Sequence, residues 1–478
     1  MTPPRTRTRT RRPQAALAAL SLVVLAACGT RLDHDTIVRA GSGTGSGQAG
    51  TGTAAGELVP GADGAGEGQT AAGATGDSAG PAEGGGDAAG PGGAAAGNGS
   101  GGNGRGGGGN GAGRGGAPIV IGSVGTLSGP GGVAFGQGPR ALQAWAAATN
   151  TAGGIDGRQV KVIVMDDGAD AAKGRSQVQE LVERHNVVAI VAAMTTTHTL
   201  AAWKGYVEQK KVPVVGGDCS TTAWTSSPVL FSQCPSTNSQ MDGLAKVGAT
   251  YGKGKKLGGL FCTETDACSH AEDRMFGSGR AATRFGLDPV YRAKITVTQP
   301  DYTAECLQAR NAGVELMMVT GDPNTVARVA SSCRRQNFSP QFLQPSATVG
   351  ADSASKPGLS NVLAAMAVFP FKGTSSPSIH EFDAAWKKYG GGKAPGPAAA
   401  QGWASAKVFE KAARGAGEIS RAGLIKELYT FRGQRFGGLT VPLTYVAGKG
   451  TADTRCAFFM RGSGGGWTAP LGARPVCW

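Results

Sequence analysis

Between residues 119 and 344 the chain switches repeatedly from strand-length apolar runs to helix-length amphipathic stretches. That alternation restricts it to an α/β fold. Residues 119–124, 160–165, 187–193 and 212–215 read as strands, apolar, largely β-branched and short, as strands buried on both faces are. Residues 140–150, 171–184 and 198–209 read as the helices between them. A crossover at 231–235 interrupts the series, which then restarts. Helices at 241–251, 271–285, 303–312 and 324–336 alternate with strands at 257–261, 293–297, 316–320 and 341–344. Two βαβ series in succession predict two lobes, each with a largely parallel sheet. The ordered part, about 360 residues from Ala117 onward, is also long for one core.

The stretch 187–221 carries the densest functional signal. Its first strand runs into Thr195, Thr196, Thr197 and Thr199, where a helix begins that places Leu200, Trp203 and Val207 on one face. Its second strand ends in a small polar turn holding Asp218 and Ser220. In open α/β sheets ligands bind beyond the carboxyl ends of strands, where helix N-termini present free N–H groups. Two such ends with hydroxyls and no catalytic base suit holding a small polar molecule, not transforming it. The threonines would also serve as a helix cap, and Asp218 as an Asx-turn residue.

Arg5, Arg7, Arg9, Arg11 and Arg12 precede an apolar segment at 15–27 that is too short to span a bilayer, the pattern of an export signal. It ends in Leu25-Ala26-Ala27-Cys28-Gly29, which resembles the lipobox of bacterial lipoproteins. That resemblance implies a signal peptide at 1–27 and lipidation of Cys28; an uncleaved anchor is the alternative, and the export route stays open. Residues 28–117 are expected to form a disordered tether. From about Gly41 to Gly116 they are mostly Gly, Ala, Ser and Thr, with too little apolar surface to offset ordering entropy. Such a coil spans about 50 Å. The formal charge of +14 includes the five leader arginines, leaving about +9 dispersed over the remainder. No basic helix with interleaved aromatics and no zinc-finger spacing occurs, so nucleic acid is not an expected partner.

Several segments together resemble the type 1 periplasmic binding proteins, especially the branched-chain amino acid receptors of ABC transporters. Ile121-Gly122-Ser123-Val124-Gly125-Thr126-Leu127-Ser128-Gly129-Pro130 is similar to that family's first strand and Ser-Gly-Pro loop. Phe135-Gly136, Thr151-Ala152-Gly153-Gly154-Ile155-Asp156-Gly157-Arg158, Asp166-Asp167 and Gln240 fall in the family's order and spacing. The resemblance covers nearly all of 118–440. It implies an α/β, two-lobed Venus-flytrap, each lobe a mostly parallel sheet flanked by helices. Residues 118–235 and 371–437 would form lobe 1, and 236–370 and 438–478 lobe 2. Crossovers are expected near 232–237, 369–371 and 435–439, with helices at 379–389 and 398–416 returning to lobe 1. Strands at 439–446 and 456–460 would end the chain against lobe 2.

By the same resemblance, Thr195 or Thr196 would meet a ligand carboxylate, Asp218 and Ser220 would line the next loop, and Phe135 would wall the cleft or join the core. Gln240 matches a residue often found after the crossover. Asp322 and Ser346 stand where amino acid receptors carry a Tyr and a Glu. Ser346 removes the usual partner of a ligand ammonium, a charge that Asp322 or Asp218 could supply instead. Asp166 and Asp167 are expected to organise loops.

Nine cysteines less Cys28 leave an even eight in an oxidising compartment. They allow on the order of a hundred pairings. The implied fold favours Cys219–Cys234, Cys262–Cys268, Cys306–Cys333 and Cys456–Cys477; the alternative is a metal site from Cys262, Cys268 and His270. No nucleophile elbow or phosphate loop is present in the ordered region, and none of the five histidines sits in a catalytic constellation. Gly277-x-Gly279-x-x-Ala282 falls inside a predicted helix and not after a strand, so it is not a dinucleotide loop. No cofactor and no catalysis are expected. The resulting expectation is a monomeric receptor, lipid-anchored on the outer face of the cell membrane. It would deliver an amino acid, amide or related ligand to ABC permease subunits. A ligand-sensing module of the same fold is the alternative, with an amidase-like exported enzyme third.

Overall fold

The computed structural model describes residues 116–478. The export leader, Cys28 and the tether up to Gly115 lie outside the described residues. Within them the apolar runs form two main sheets. The first holds β1 (Ile119–Gly125), β2 (Val160–Asp166), β3 (Ala189–Ala193), β4 (Val214–Gly217) and β5 (Leu230–Phe231). They are parallel, in the order β2-β1-β3-β4-β5. Helices α1 (Gly129–Phe135) and α2 (Gln137–Thr151) follow β1, α3 (Ala171–Glu183) follows β2, and α4 (Thr197–Gln209) follows β3. Every residue of β3 and β4 is buried, because helices cover both faces.

The second lobe starts with α5 (Thr237–Tyr251) and continues with β6 (Lys256–Cys262), α6 (Asp266–Phe276), α7 (Ala281–Arg284), β7 (Asp288–Ile295), α8 (Thr303–Asn311), β8 (Leu316–Val319), α9 (Pro323–Arg335), β9 (Gln341–Pro345) and β10 (Leu363–Met366). The chain then returns through α10 (Pro377–Tyr389), α11 (Pro397–Gly415) and α12 (Arg421–Leu428). It ends with β11 (Tyr445–Val446), β12 (Gly450–Thr451), β13 (Cys456–Ser463), β14 (Gly466–Thr468) and β15 (Val476–Cys477). The larger sheet runs β14-β13-β10-β9-β8-β6-β7, parallel from β10 to β7, with β13 antiparallel to β10, β14 and β15.

Helix α11 packs against α2, β3 and β4 and is buried along most of its length. Its alanines and glycine make this possible. A Cβ at Gly402 would lie 2.1 Å from the Gly138 carbonyl oxygen, so any side chain there would push α2 away. The close approach brings the first turns of α11 to the carboxyl ends of β3 and β4.

Four local features depart from the sequence reading. Helix α1 forms from Gly129-Pro130-Gly131-Gly132, a sequence of low helix propensity that tertiary context overrides. The helix expected at 271–285 is two helices, broken where Arg280 adopts φ 47 and where a Cβ on Gly279 would lie 2.5 Å from Arg274 Cα. Gly277-x-Gly279 is therefore an interhelical turn. The strand expected at 439–446 shrinks to β11, paired with β12 beside β5, and Ser232 N–H donates to Thr451 Oγ1 at 2.7 Å. Pro442 lacks a ladder N–H, and Leu439, Val441 and Leu443 go to the core instead. Strands β10, β14 and β15 and helix α12 were not anticipated: β10 is a short Ala-containing run, the other two strands have only three and two residues, and α12 has eight.

The cysteines pair as Cys219–Cys234, Cys262–Cys268, Cys306–Cys333 and Cys456–Cys477. The second bond consumes both thiolates that a metal would need beside His270. Cys306 and Cys333 are fully buried and staple α8 to α9 across 27 residues. Replacing both with alanine is expected to cost about 3 kcal/mol, from loop entropy released to the unfolded chain. Urea unfolding of the double variant measures this, and a midpoint equal to wild type would refute it.

Candidate ligand-binding cleft

One buried carboxylate gathers the carboxyl ends of β1, β2 and β3. Asp167 follows β2 directly and is fully buried. It accepts hydrogen bonds from Thr126 Oγ1 at 2.7 Å, Thr195 Oγ1 at 2.6 Å and the Ala169 N–H at 2.8 Å. Its neighbour Asp166 accepts from the N–H groups of Leu127 (2.9 Å), Ser128 (3.3 Å) and Gly168 (2.9 Å). Burial pushes the Asp166 pKa up, but hydrogen bonds from the Ser128 side chain and those N–H groups outweigh it and hold it at about 2. The two aspartates thus fix the loop that launches α1, and α1 delivers Phe135 to the cleft.

The ends of β3 and β4 turn together. Ala192 has φ 54 and Gly216 φ 68, on adjacent strands at the same level. Left-handed alanine is uncommon and costs about 1–2 kcal/mol. The Ala192 carbonyl accepts from Ser123 Oγ at 3.0 Å, which helps to hold this conformation. Gly216 has no substitute, since a Cβ would sit 2.1 Å from Ser405 Oγ on α11. Beyond β4, Asp218 is buried, accepts from the Ser220 hydroxyl and from the Ser220 N–H at 3.3 Å, and offers its carbonyl to Trp224 Nε1 at 2.8 Å. Burial drives its pKa up to about 6, against the pull of the Ser220 and Cys219 hydrogen bonds.

A cavity of about 20 Å³ lies between the lobes, room for about one water. Phe135, Met194, Asp218 and Gln401 face it from lobe 1, and Ser346 and Val349 face it from lobe 2. Of the residues expected at the site, Phe135, Asp218 and Ser346 meet here, with Ser220 behind Asp218. The others have different employment. The Thr195 hydroxyl goes to Asp167, and Thr196 caps α4 by accepting the Thr199 N–H at 3.3 Å. Gln240 Nε2 donates to the carbonyls of Cys219 (2.7 Å) and Pro235 (3.2 Å). Asp322 caps α9, accepting from the Asn324 N–H at 2.8 Å, the Thr325 N–H at 3.3 Å and Thr325 Oγ1 at 2.6 Å.

Sequence reasoning missed Met194, Val349 and Gln401. Gln401 is 4% exposed; its Nε2 donates weakly to Ser346 Oγ at 3.4 Å, and its Oε1 is buried without a partner among the described residues. The available signal was a lone amide in an alanine run. A larger open groove of about 470 Å³ lies along α11, where Lys407 pairs with Glu381 and Glu410, and Arg414 with Glu410.

Residues 118–466 match a family model described as periplasmic binding protein. The chain belongs to that family, in its type 1, two-lobed form. A branched-chain amino acid ABC transporter protein from Thermus thermophilus with bound valine superposes with a TM-score of 0.65 at 17% identity, covering 76% of this chain and 97% of that one. A fatty acid ABC transporter substrate-binding protein from Thermomonospora curvata gives 0.62 at 24% identity, covering 74% and 91%. A curated "Amino acid binding protein" from Pseudomonas aeruginosa is 23% identical over 255 residues; the match spans 51% of this chain and 64% of the relative's length.

The position of Asp218 sets a pH dependence. Its folded pKa of about 6 exceeds the ordinary carboxylate value of 3.8, so folding favours the protonated acid. The associated stability is complete below pH 4, is lost as pH rises to 6, and changes little above that. Relative to Asp218→Asn, wild type should lose about 2 kcal/mol between pH 4 and pH 7. Urea unfolding of both proteins across that range checks it; a difference independent of pH would contradict the assignment.

Proposed function

We propose that this protein is an exported, lipid-anchored receptor that holds a compact polar solute between its lobes and passes it to an ABC importer. The observation that carries the reading is the interlobe cavity itself, where the buried Asp218 and Gln401 of lobe 1 meet Ser346 of lobe 2. An amino acid or a related compact solute fits the naming of several relatives, and a fatty acid that of another. With room for about one water, the cleft must open at the crossovers to admit anything larger. Only a ligand that touches both lobes gains from their approach, so binding shifts the population toward the closed form.

Thermal shift against amino acids, amides, urea and aromatic acids identifies the ligand, and scattering is then expected to show compaction. Phe135→Ala and Asp218→Asn should each weaken binding by about tenfold, the worth of one buried contact. Asp322→Ala should lower stability by about 1 kcal/mol, as loss of a helix cap does, and leave affinity intact. Normal binding by both cleft variants would remove the cleft as the site. For the anchor, fatty-acid labelling is expected in wild type and not in Cys28→Ala, and equal labelling would end that part of the proposal.

A further inference from the structure

Most residues lining the cavity are apolar, and its polar side chains are Asp218 and Gln401 of lobe 1 and Ser346 of lobe 2. Asp218 and Gln401 are both more than nine-tenths buried. Gln401 spends its Nε2 on Ser346, so its oxygen has no donor among the described residues. A buried acceptor left unpaired costs about 1–3 kcal/mol, which a ligand donor would recover. Among the described residues, no Lys, Arg or His lines the cavity. At the end of β3, the Thr195 hydroxyl donates its hydrogen bond to Asp167, and the Thr196 oxygen accepts as a helix cap. A ligand carboxylate would therefore meet the Asp218 carboxyl in a nearly dry space without a cation to separate them. Phe135 lines the cavity with an aromatic ring, a group whose face attracts cations, and Met194 and Val349 offer apolar contact.

We infer that the ligand is a compact organic cation, a primary amine or amidine without an adjacent carboxylate, whose N–H donors engage Asp218 and the Gln401 oxygen. This rests on the cleft being the ligand site. It separates this receptor from ones that hold zwitterionic amino acids by both charges. The Ser346 hydroxyl, a donor and an acceptor, then reports from lobe 2 on the same end of the molecule, through Gln401.

Calorimetry on the full chain with four matched probes tests the inference: isobutylamine, acetamidine, isobutyrate and valine. The amine and the amidine are expected to bind, with isobutyrate and valine at least tenfold weaker. Asp218→Asn should weaken the amine at least tenfold and Gln401→Leu about fivefold. Gln401→Glu should keep or tighten amine binding, because it adds charge without changing shape. Circular dichroism shows whether each variant remains folded. Amine affinity in wild type should fall about tenfold from pH 7 to pH 5 as Asp218, the one titratable group among the described residues lining the cavity, takes up its proton. Valine binding more tightly than isobutylamine would overturn the inference, as would amine binding that ignores both Asp218→Asn and Gln401→Leu, or no binding of either cation. If valine binds and Phe135→Ala weakens it, the receptor reading survives that failure. If no compound in the wider library compacts the protein, the receptor reading falls too.

Discussion

The Asp167 carboxylate is the constraint on which the cleft depends. Three donors from three segments converge on one buried group: Thr126 after β1, Ala169 after β2 and Thr195 after β3. A buried carboxylate is tolerated only when hydrogen bonds replace its water, so losing any donor penalises the rest. Because the three segments share one acceptor, they cannot move independently. The loop bearing Phe135 and the turn bearing Met194 therefore enter the cleft at fixed height, and Asp166 secures the former from outside.

Close packing sets the other wall. Helix α11 reaches the strand ends because Gly138, Gly402 and Gly216 leave space where any Cβ would collide. Gln401 and Ser405 sit on the face that this contact presses inward. The approach accounts for an alanine-rich helix where a leucine-rich one would bury more area: interaxial distance matters more here than area. A polar amide at such a contact is expensive, which is why its unpaired oxygen reads as a binding group and not as packing.

How much of this could be seen in the sequence differs by element. Strands β1 to β4 and helices α2 to α4 were legible because period and length agree with burial on both faces. Asp166 and Asp167 were legible as loop organisers, since paired acids after a strand have few other uses. Thr195 and Thr196 drew attention correctly as hydroxyls at a strand end, but their partners come from Asp167, 28 residues back, and from the helix backbone. Spacing cannot show that a hydroxyl is already spent. Gln401 was invisible for a related reason: it reaches the cleft from 183 residues beyond Asp218 through a helix–helix contact that leaves no local pattern. Helix α1 was hidden by its glycines and proline, which argue for a loop until tertiary contacts decide.

The loop that carries Asp218 is fastened to the first crossover more than once. Cys219 is bonded to Cys234, and its carbonyl accepts from Gln240 Nε2 and from Thr237 Oγ1 at the start of α5. The hinge and the binding loop are consequently one mechanical piece. A rotation of the lobes about that crossover would pull directly on the loop that carries Asp218, as a crank is pulled by its shaft.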